Sequence, residues 1–76
     1  MNKSIYSDDY TYLTKQLKLS RIEAGYTQKE VSEILGKSQS YISKIEKGQL
    51  RIDVIQLQEF ARLYKKSLDY FLVNRT

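Results

Sequence analysis

A chain of 76 residues can hold one small domain with a single hydrophobic core, and it is too short for two domains or for a catalytic cleft between lobes. Cysteine and histidine are both absent, which removes disulfides, the common zinc sites and the usual enzymatic nucleophile and general base. We therefore expect no enzymatic activity, no metal and no cofactor. The chain also lacks a membrane-spanning apolar run, and its N-terminus, MNKSIYSDD, lacks the apolar core of a secretory signal, which predicts a cytoplasmic protein with no membrane partner.

Positive charge is concentrated in one segment of the chain. The net charge is +4, and the segment from Lys37 to Arg51 carries +3 of it. Its charged residues are the bases Lys37, Lys44, Lys47 and Arg51 and the acid Glu46. The rest of the chain is nearly neutral, so an anionic partner is expected at this segment.

The first predicted helix begins near Asp8 or Asp9, because acids suit a helix N-terminus, and it runs to Ala24 before Gly25 ends it. One face of this helix is formed by Leu13, Leu17 and Ala24. The eight residues before it are expected to form a flexible N-terminal arm, residues 1–8.

The second predicted helix, from Gln28 to Leu35, has a clear start. Thr27 and Glu30 have the spacing of a capping box, and Tyr26 and Val31 occupy the two positions of a hydrophobic staple. A third helix follows closely.

The third predicted helix is capped by Ser38, runs from Gln39 to about Lys47 and is stopped by Gly48. Only residues 36–38 separate it from the second helix, which indicates a sharp crossing of the helix-turn-helix type over residues 28–47. The inward positions of this unit are filled by Val31, Leu35, Ile42 and Ile45. Ser32 falls where the two helices approach most closely, so its hydroxyl needs a nearby carbonyl.

Two further helices are predicted after Gly48. Asp53 and Gln56 resemble a capping pair, and Ser67 can cap the last helix. The inward residues are Leu57, Phe60, Ala61 and Tyr64 in the fourth helix and Leu68, Phe71 and Leu72 in the fifth. The sequence therefore predicts an all-α fold, a compact bundle of five short helices that forms a single domain over residues 9–73.

A resemblance to a known family rests on three parts of the sequence. They are Arg21, the stretch AGYTQKEVSEILGKSQSYISKIEKG from Ala24 to Gly48, and LQEFARLYKKSLDYFL from Leu57 to Leu72. These parts resemble the Cro and phage-repressor type (Xre-like) helix-turn-helix proteins. The resemblance implies a lambda-repressor-like DNA-binding domain, whose second helix crosses the DNA backbone and whose third helix enters the major groove.

The resemblance assigns expected roles to the polar residues around the third helix. It implies base contacts by Gln39, Ser40 and Lys44, since glutamine can pair with adenine and lysine with guanine. It implies contacts to the DNA backbone by Gln28, Lys37, Ser43, Lys47, Gln49 and Arg51. Gln28 is also expected to brace Gln39, and Arg21 and Glu46 match a pair of family positions that form a structural salt bridge.

The seven tyrosines allow another interpretation, in which aromatic rings stack on single-stranded nucleic acid. Structural use is favoured, because Tyr26, Tyr41 and Tyr64 fall on inward or junction positions. Plausible surface contacts remain at Tyr6, Tyr10, Tyr12 and Tyr70.

The sequence thus predicts a transcriptional regulator that binds double-stranded DNA and associates with the nucleoid when bound. A homodimer on a palindromic operator is expected, with the C-terminal helix, through Tyr70, Phe71 and Val73, as the interface. The alternative is a protein-interaction or antitoxin-like module that uses the same fold to bind a partner protein.

Overall fold

The structure, a computed structural model, describes residues 8–73. Its elements, in chain order, are α1 (Asp8–Ala24), α2 (Gln28–Leu35), α3 (Gln39–Glu46), α4 (Val54–Tyr64) and a 3-10 helix (Leu68–Phe71). Every regular element within the described range is helical, so the predicted all-α fold is confirmed. The predicted N-terminal arm lies outside this range except for Asp8, where α1 begins.

Local side-chain caps explain where α2, α3 and α4 start. Thr27 Oγ1 accepts a hydrogen bond from the Glu30 backbone amide at 3.0 Å, and the Glu30 carboxylate accepts one from the Thr27 amide at 2.8 Å. At the start of α3, Ser38 Oγ accepts a hydrogen bond from the Tyr41 backbone amide at 3.0 Å. At the start of α4, Asp53 Oδ1 accepts one from the Gln56 backbone amide at 2.8 Å. Each cap satisfies an amide that would otherwise lack a partner at a helix N-terminus.

The turn between α2 and α3 depends on Gly36, which has φ 69° and ψ 34°. This left-handed conformation lets the amide of Lys37 donate to the Ser32 carbonyl at 2.8 Å and reverses the chain within three residues. At the crossing, the buried Ser32 hydroxyl donates to the Lys29 carbonyl at 2.7 Å, as its position in the sequence required.

One hydrophobic core joins all the elements. Val31, Ile42 and Ile45 have no exposed surface, so α2 and α3 are fixed by their inner faces. The other buried apolar residues are Tyr10, Leu13, Leu17, Leu57, Phe60, Ala61, Tyr64 and Phe71. The predicted inward face of α4 is confirmed, and Leu35 is partly buried against the core. α3 is therefore held by its apolar side and keeps its polar side outward.

Two predictions about side-chain direction in α1 are wrong. Ala24 is exposed, because the buried face of α1 ends one turn earlier, at Ser20. Tyr10 is buried rather than a surface contact. Its spacing of three and seven residues from Leu13 and Leu17 places it on the same inward face.

The last predicted α-helix is a 3-10 helix, Leu68–Phe71, and the Ser67 side chain forms no capping hydrogen bond. A 3-10 helix has about three residues per turn, so Leu68 and Phe71 share its inner face. Leu72 was expected to face inward, but it is 47% exposed.

Of the described helices, none combines the length and the apolar character that crossing a membrane requires.

A substitution at Lys65, the residue that follows α4, is expected to stabilise the protein. Lys65 has φ 59° and ψ 45°, a left-handed conformation that strains any residue with a Cβ atom. Lys65→Gly is expected to raise the free energy of unfolding by about 0.5 to 1 kcal/mol, measured by urea denaturation. The matched control, Gln58→Gly, lies exposed within α4 and is expected to lower it by about 1 kcal/mol. A loss of stability in both variants would contradict strain at Lys65.

Candidate nucleic-acid interface

The outer face of α3 presents most of the residues predicted to contact DNA. Gln39, Ser40 and Lys44 are exposed, and Ser43 is half-buried beside them. Lys47, the C-terminal cap of α3, is exposed as well. Because the opposite face is buried, this polar surface is carried on a helix that has little freedom to rotate.

Glu46 is the single acid of the basic segment, and its negative charge is balanced by an ion pair with Arg21. Arg21 Nε donates to Glu46 Oε2 at 2.7 Å and Nη2 donates to Oε1 at 3.1 Å, so the guanidinium grips the carboxylate with two bonds. The two side chains are 11% and 4% exposed. Hydrogen bonding to Glu46 raises the pKa of Arg21, so the arginine remains a cation.

The same carboxylate also binds Gln28. Gln28 Nε2 donates to Glu46 Oε1 at 3.1 Å, so the amide group that was expected to brace Gln39 contacts Glu46 instead. Arg21 extends the network through Nη1, which donates to the Tyr26 carbonyl at 2.9 Å. Residues of α1 and α2 thus meet at the C-terminal end of α3 and set its orientation.

Two cations flank α3, and each lies over a tyrosine ring. Lys37, in the turn before α3, places Nζ 5.5 Å from the ring centroid of Tyr41. Arg51, in the loop after α3, places Cζ 4.7 Å from the ring centroid of Tyr10. Arg51 is exposed and Lys37 is half-buried. Gln49, also exposed, lies in the same loop, and its backbone amide donates to the Lys44 carbonyl at 2.8 Å.

Both tyrosine hydroxyls are hydrogen-bonded within the fold. Tyr10 donates to the carbonyl of Leu50, and Tyr41 donates to the side-chain carbonyl of Gln56 in α4. Burial raises the pKa of both phenols above the ordinary range. Both therefore stay neutral donors at physiological pH.

Sequence reasoning did not connect Tyr10, Tyr41 or Gln56 with this surface. The spacing of Tyr10 from Leu13 was a usable signal for its burial. The pairing of Tyr10 with Arg51 and of Tyr41 with Gln56 had no such signal, since these residues meet only after the helices pack.

Together these residues form a basic surface around the polar face of α3. That face is exposed, and one cation lies in the turn before α3 and another in the loop after it. With Glu46 paired to Arg21, the surface has the chemistry to bind phosphates and to form hydrogen bonds with base edges.

Comparison with known proteins identifies the family. The sequence profile of the helix-turn-helix family HTH_3 matches residues 17–71. The chain belongs to this Xre-like helix-turn-helix family. It is similar to the HTH-type transcriptional regulator ImmR of Bacillus subtilis (strain 168), with 40% identity over 60 residues, which is 79% of this chain and 47% of that protein. The chain thus spans about half the length of this relative.

Because the Arg21–Glu46 pair is buried, removing the arginine is expected to lower the stability of the protein strongly. Within residues 8–73, Arg21→Ala leaves the buried Glu46 carboxylate with Gln28 as its one side-chain partner, and we expect a loss of about 3 kcal/mol in the free energy of unfolding. The measurement is urea denaturation followed by circular dichroism.

An exposed ion pair offers the matched control. Lys66 Nζ lies 3.0 Å from Glu23 Oε1, and the Glu23 side chain is 67% exposed. Glu23→Ala is therefore expected to change stability little, because water screens exposed pairs. Equal losses in the two variants would show that burial of the Arg21–Glu46 pair is not what matters.

Proposed function

We propose that this protein is a sequence-specific double-stranded DNA-binding regulator that acts by occupying an operator, with α3 in the major groove. The observation that carries the proposal is the polar face of α3, which is exposed, anchored from behind by Ile42 and Ile45, and flanked by cations. The helix-turn-helix family and the regulator named above support the same conclusion. A cytoplasmic location remains a prediction.

The residues proposed to contact DNA fall into two groups. Base contacts are assigned to Gln39, Ser40 and Lys44, which stand on the exposed face of α3. Backbone contacts are assigned to Gln28, Lys37, Ser43, Lys47, Gln49 and Arg51. The first group would select the sequence, and the second would hold the protein in register.

The decisive experiment is selection of bound sequences from a random duplex pool. A sequence-specific protein enriches a motif, and a dimer enriches two inverted half-sites with centres about one helical turn apart. If the protein binds no duplex, the DNA-binding proposal fails, and the protein-interaction module becomes the better explanation.

Gln39→Ala tests base reading directly. It is expected to weaken binding to the selected site by about 1 to 3 kcal/mol while leaving binding to unrelated duplexes unchanged. Fluorescence anisotropy with both duplexes measures the difference. The control is Gln58→Ala, which removes another exposed glutamine, this one from α4, and is expected to affect neither affinity. Equal weakening of Gln39→Ala on all sequences would rule out base reading by this residue.

The proposed homodimer interface needs a correction. Phe71 was expected to contribute apolar surface, but it is completely buried and serves the core, and Tyr70 is half-buried. The apolar residues left exposed near the C-terminal end are Val54, Leu72 and Val73. Val54 and Leu72 line one surface groove, and Leu72 and Val73 line a second one, so the two grooves share Leu72, and we call these three residues the C-terminal apolar patch.

We assign the dimer contact to this patch. Val54 is 61% exposed, and Val54→Glu is expected to convert a dimer into a monomer in sedimentation equilibrium, because it places a charge inside an apolar contact. Ile34→Glu is the matched control, since Ile34 is 53% exposed but lines a separate groove between α2 and α4. A dimer that survives Val54→Glu would place the contact elsewhere.

A further inference from the structure

The two cations that flank α3 share an arrangement that the proposed function does not by itself require. Lys37 and Arg51 each lie over a tyrosine ring, at 5.5 and 4.7 Å from the ring centroids. Both distances fall within the range, up to about 6 Å, in which the negative face of an aromatic ring attracts a cation. The cations precede and follow α3 in the chain, one in the turn before it and one in the loop after it.

Each ring is itself fixed to the frame of the domain. The buried ring of Tyr10 belongs to the core, and its hydroxyl bonds the carbonyl of Leu50, the residue next to Arg51. Tyr41 packs against the core, and its hydroxyl is bonded to Gln56. The rings therefore provide supports whose positions are set by packing.

A cation held in this way can still bind phosphate. When the flat face of a guanidinium lies on a ring, its N–H groups point outward in its own plane, where a phosphate oxygen can accept them. An ammonium over a ring likewise keeps N–H groups directed away from it. The ring also restricts a long side chain before DNA arrives, so less conformational freedom is lost on binding.

We infer that Tyr10 and Tyr41 are positioning residues, which hold Arg51 and Lys37, in the loop after α3 and the turn before it, ready to bind phosphates of DNA. The inference rests on the proposed DNA-binding function and deepens it. The tyrosines do not contact DNA in this account, and they act only through the cations that they support.

A third cation over a ring provides an internal control. Lys66 Nζ lies 4.5 Å from the ring centroid of Tyr70, but it also forms the ion pair with Glu23. This pair follows α4 and lies outside α3 and its two flanking loops. Tyr70→Leu should therefore remove a similar cation–ring contact without affecting DNA binding.

The test is a double-mutant cycle on affinity for a random-sequence duplex. Phosphate contacts do not depend on base sequence, so a duplex of about 20 base pairs, studied at about 50 and about 200 mM salt, is a sufficient probe. The full chain is compared with Tyr10→Leu, Arg51→Gln and the double variant. Thermal denaturation of each variant reports stability separately.

The expected result is coupling between the two positions. Arg51→Gln should make the slope of log affinity against log salt shallower by about 0.9, because one phosphate contact is lost. Tyr10→Leu should weaken binding by about two- to tenfold in the wild-type background, the cost of ordering a free side chain, and have no further effect when Arg51 is already replaced. The cycle on Lys37→Gln and Tyr41→Leu should show the same pattern.

A second variant keeps the test decisive if Tyr10→Leu fails to fold. Tyr10→Phe keeps the ring and removes the hydroxyl with its hydrogen bonds, including the one to Leu50, so it should retain more affinity than loss of the ring, and its smaller effect should also vanish in the Arg51→Gln background. Equal weakening in both backgrounds would show a general structural effect and overturn the inference, as would no effect in either. Absence of duplex binding by the wild-type protein would instead overturn the proposed function, and this inference with it.

Discussion

The carboxylate of Glu46 is the point at which three helices of this fold are tied together. It ends α3, it receives two hydrogen bonds from Arg21 of α1, and it receives a third from Gln28 at the start of α2. A buried carboxylate is tolerated only while these partners stay in place, since an unpaired charge in this position costs several kcal/mol. This one charged group therefore fixes the orientation of α3 relative to α1 and α2 together with the buried apolar face of α3. Everything that the outer face of α3 does depends on that orientation.

Much of the fold was predictable because its boundaries are encoded locally. The caps at Thr27, Ser38 and Asp53 act within three residues, so sequence spacing alone is enough to place the starts of α2, α3 and α4. The C-terminal end was predicted less well. There the pattern of Leu68, Phe71 and Leu72 fits an α-helix, but the chain forms a 3-10 helix, and only the first two share its inner face.

The candidate site also has a part that the sequence predicts and a part that it does not. Which residues stand on the outer face of α3 follows from helical periodicity, and the structure shows Gln39, Ser40 and Lys44 exposed there. The contacts that support this surface join residues far apart in the sequence, so periodicity does not predict them. Tyr10 donates a hydrogen bond to the carbonyl of Leu50, which lies 40 residues away in the sequence. No local sequence pattern at either residue predicts that contact. A resemblance to a family could suggest that Arg21 pairs with Glu46, but it carried no information about the tyrosines that lie beneath the cations.

The separation of α3 into a buried face and an exposed face has a consequence for how such proteins diversify. Ile42 and Ile45 secure the helix, while Gln39, Ser40 and Lys44 point into solvent and lie outside the core. Substitutions at the exposed positions therefore cost the fold little, and changes of this kind usually stay within about 0.5 kcal/mol. Under the proposed function, descendants of one ancestral gene can then acquire different target sequences by exchanging a few side chains, without first having to evolve a new scaffold or a compensating mutation.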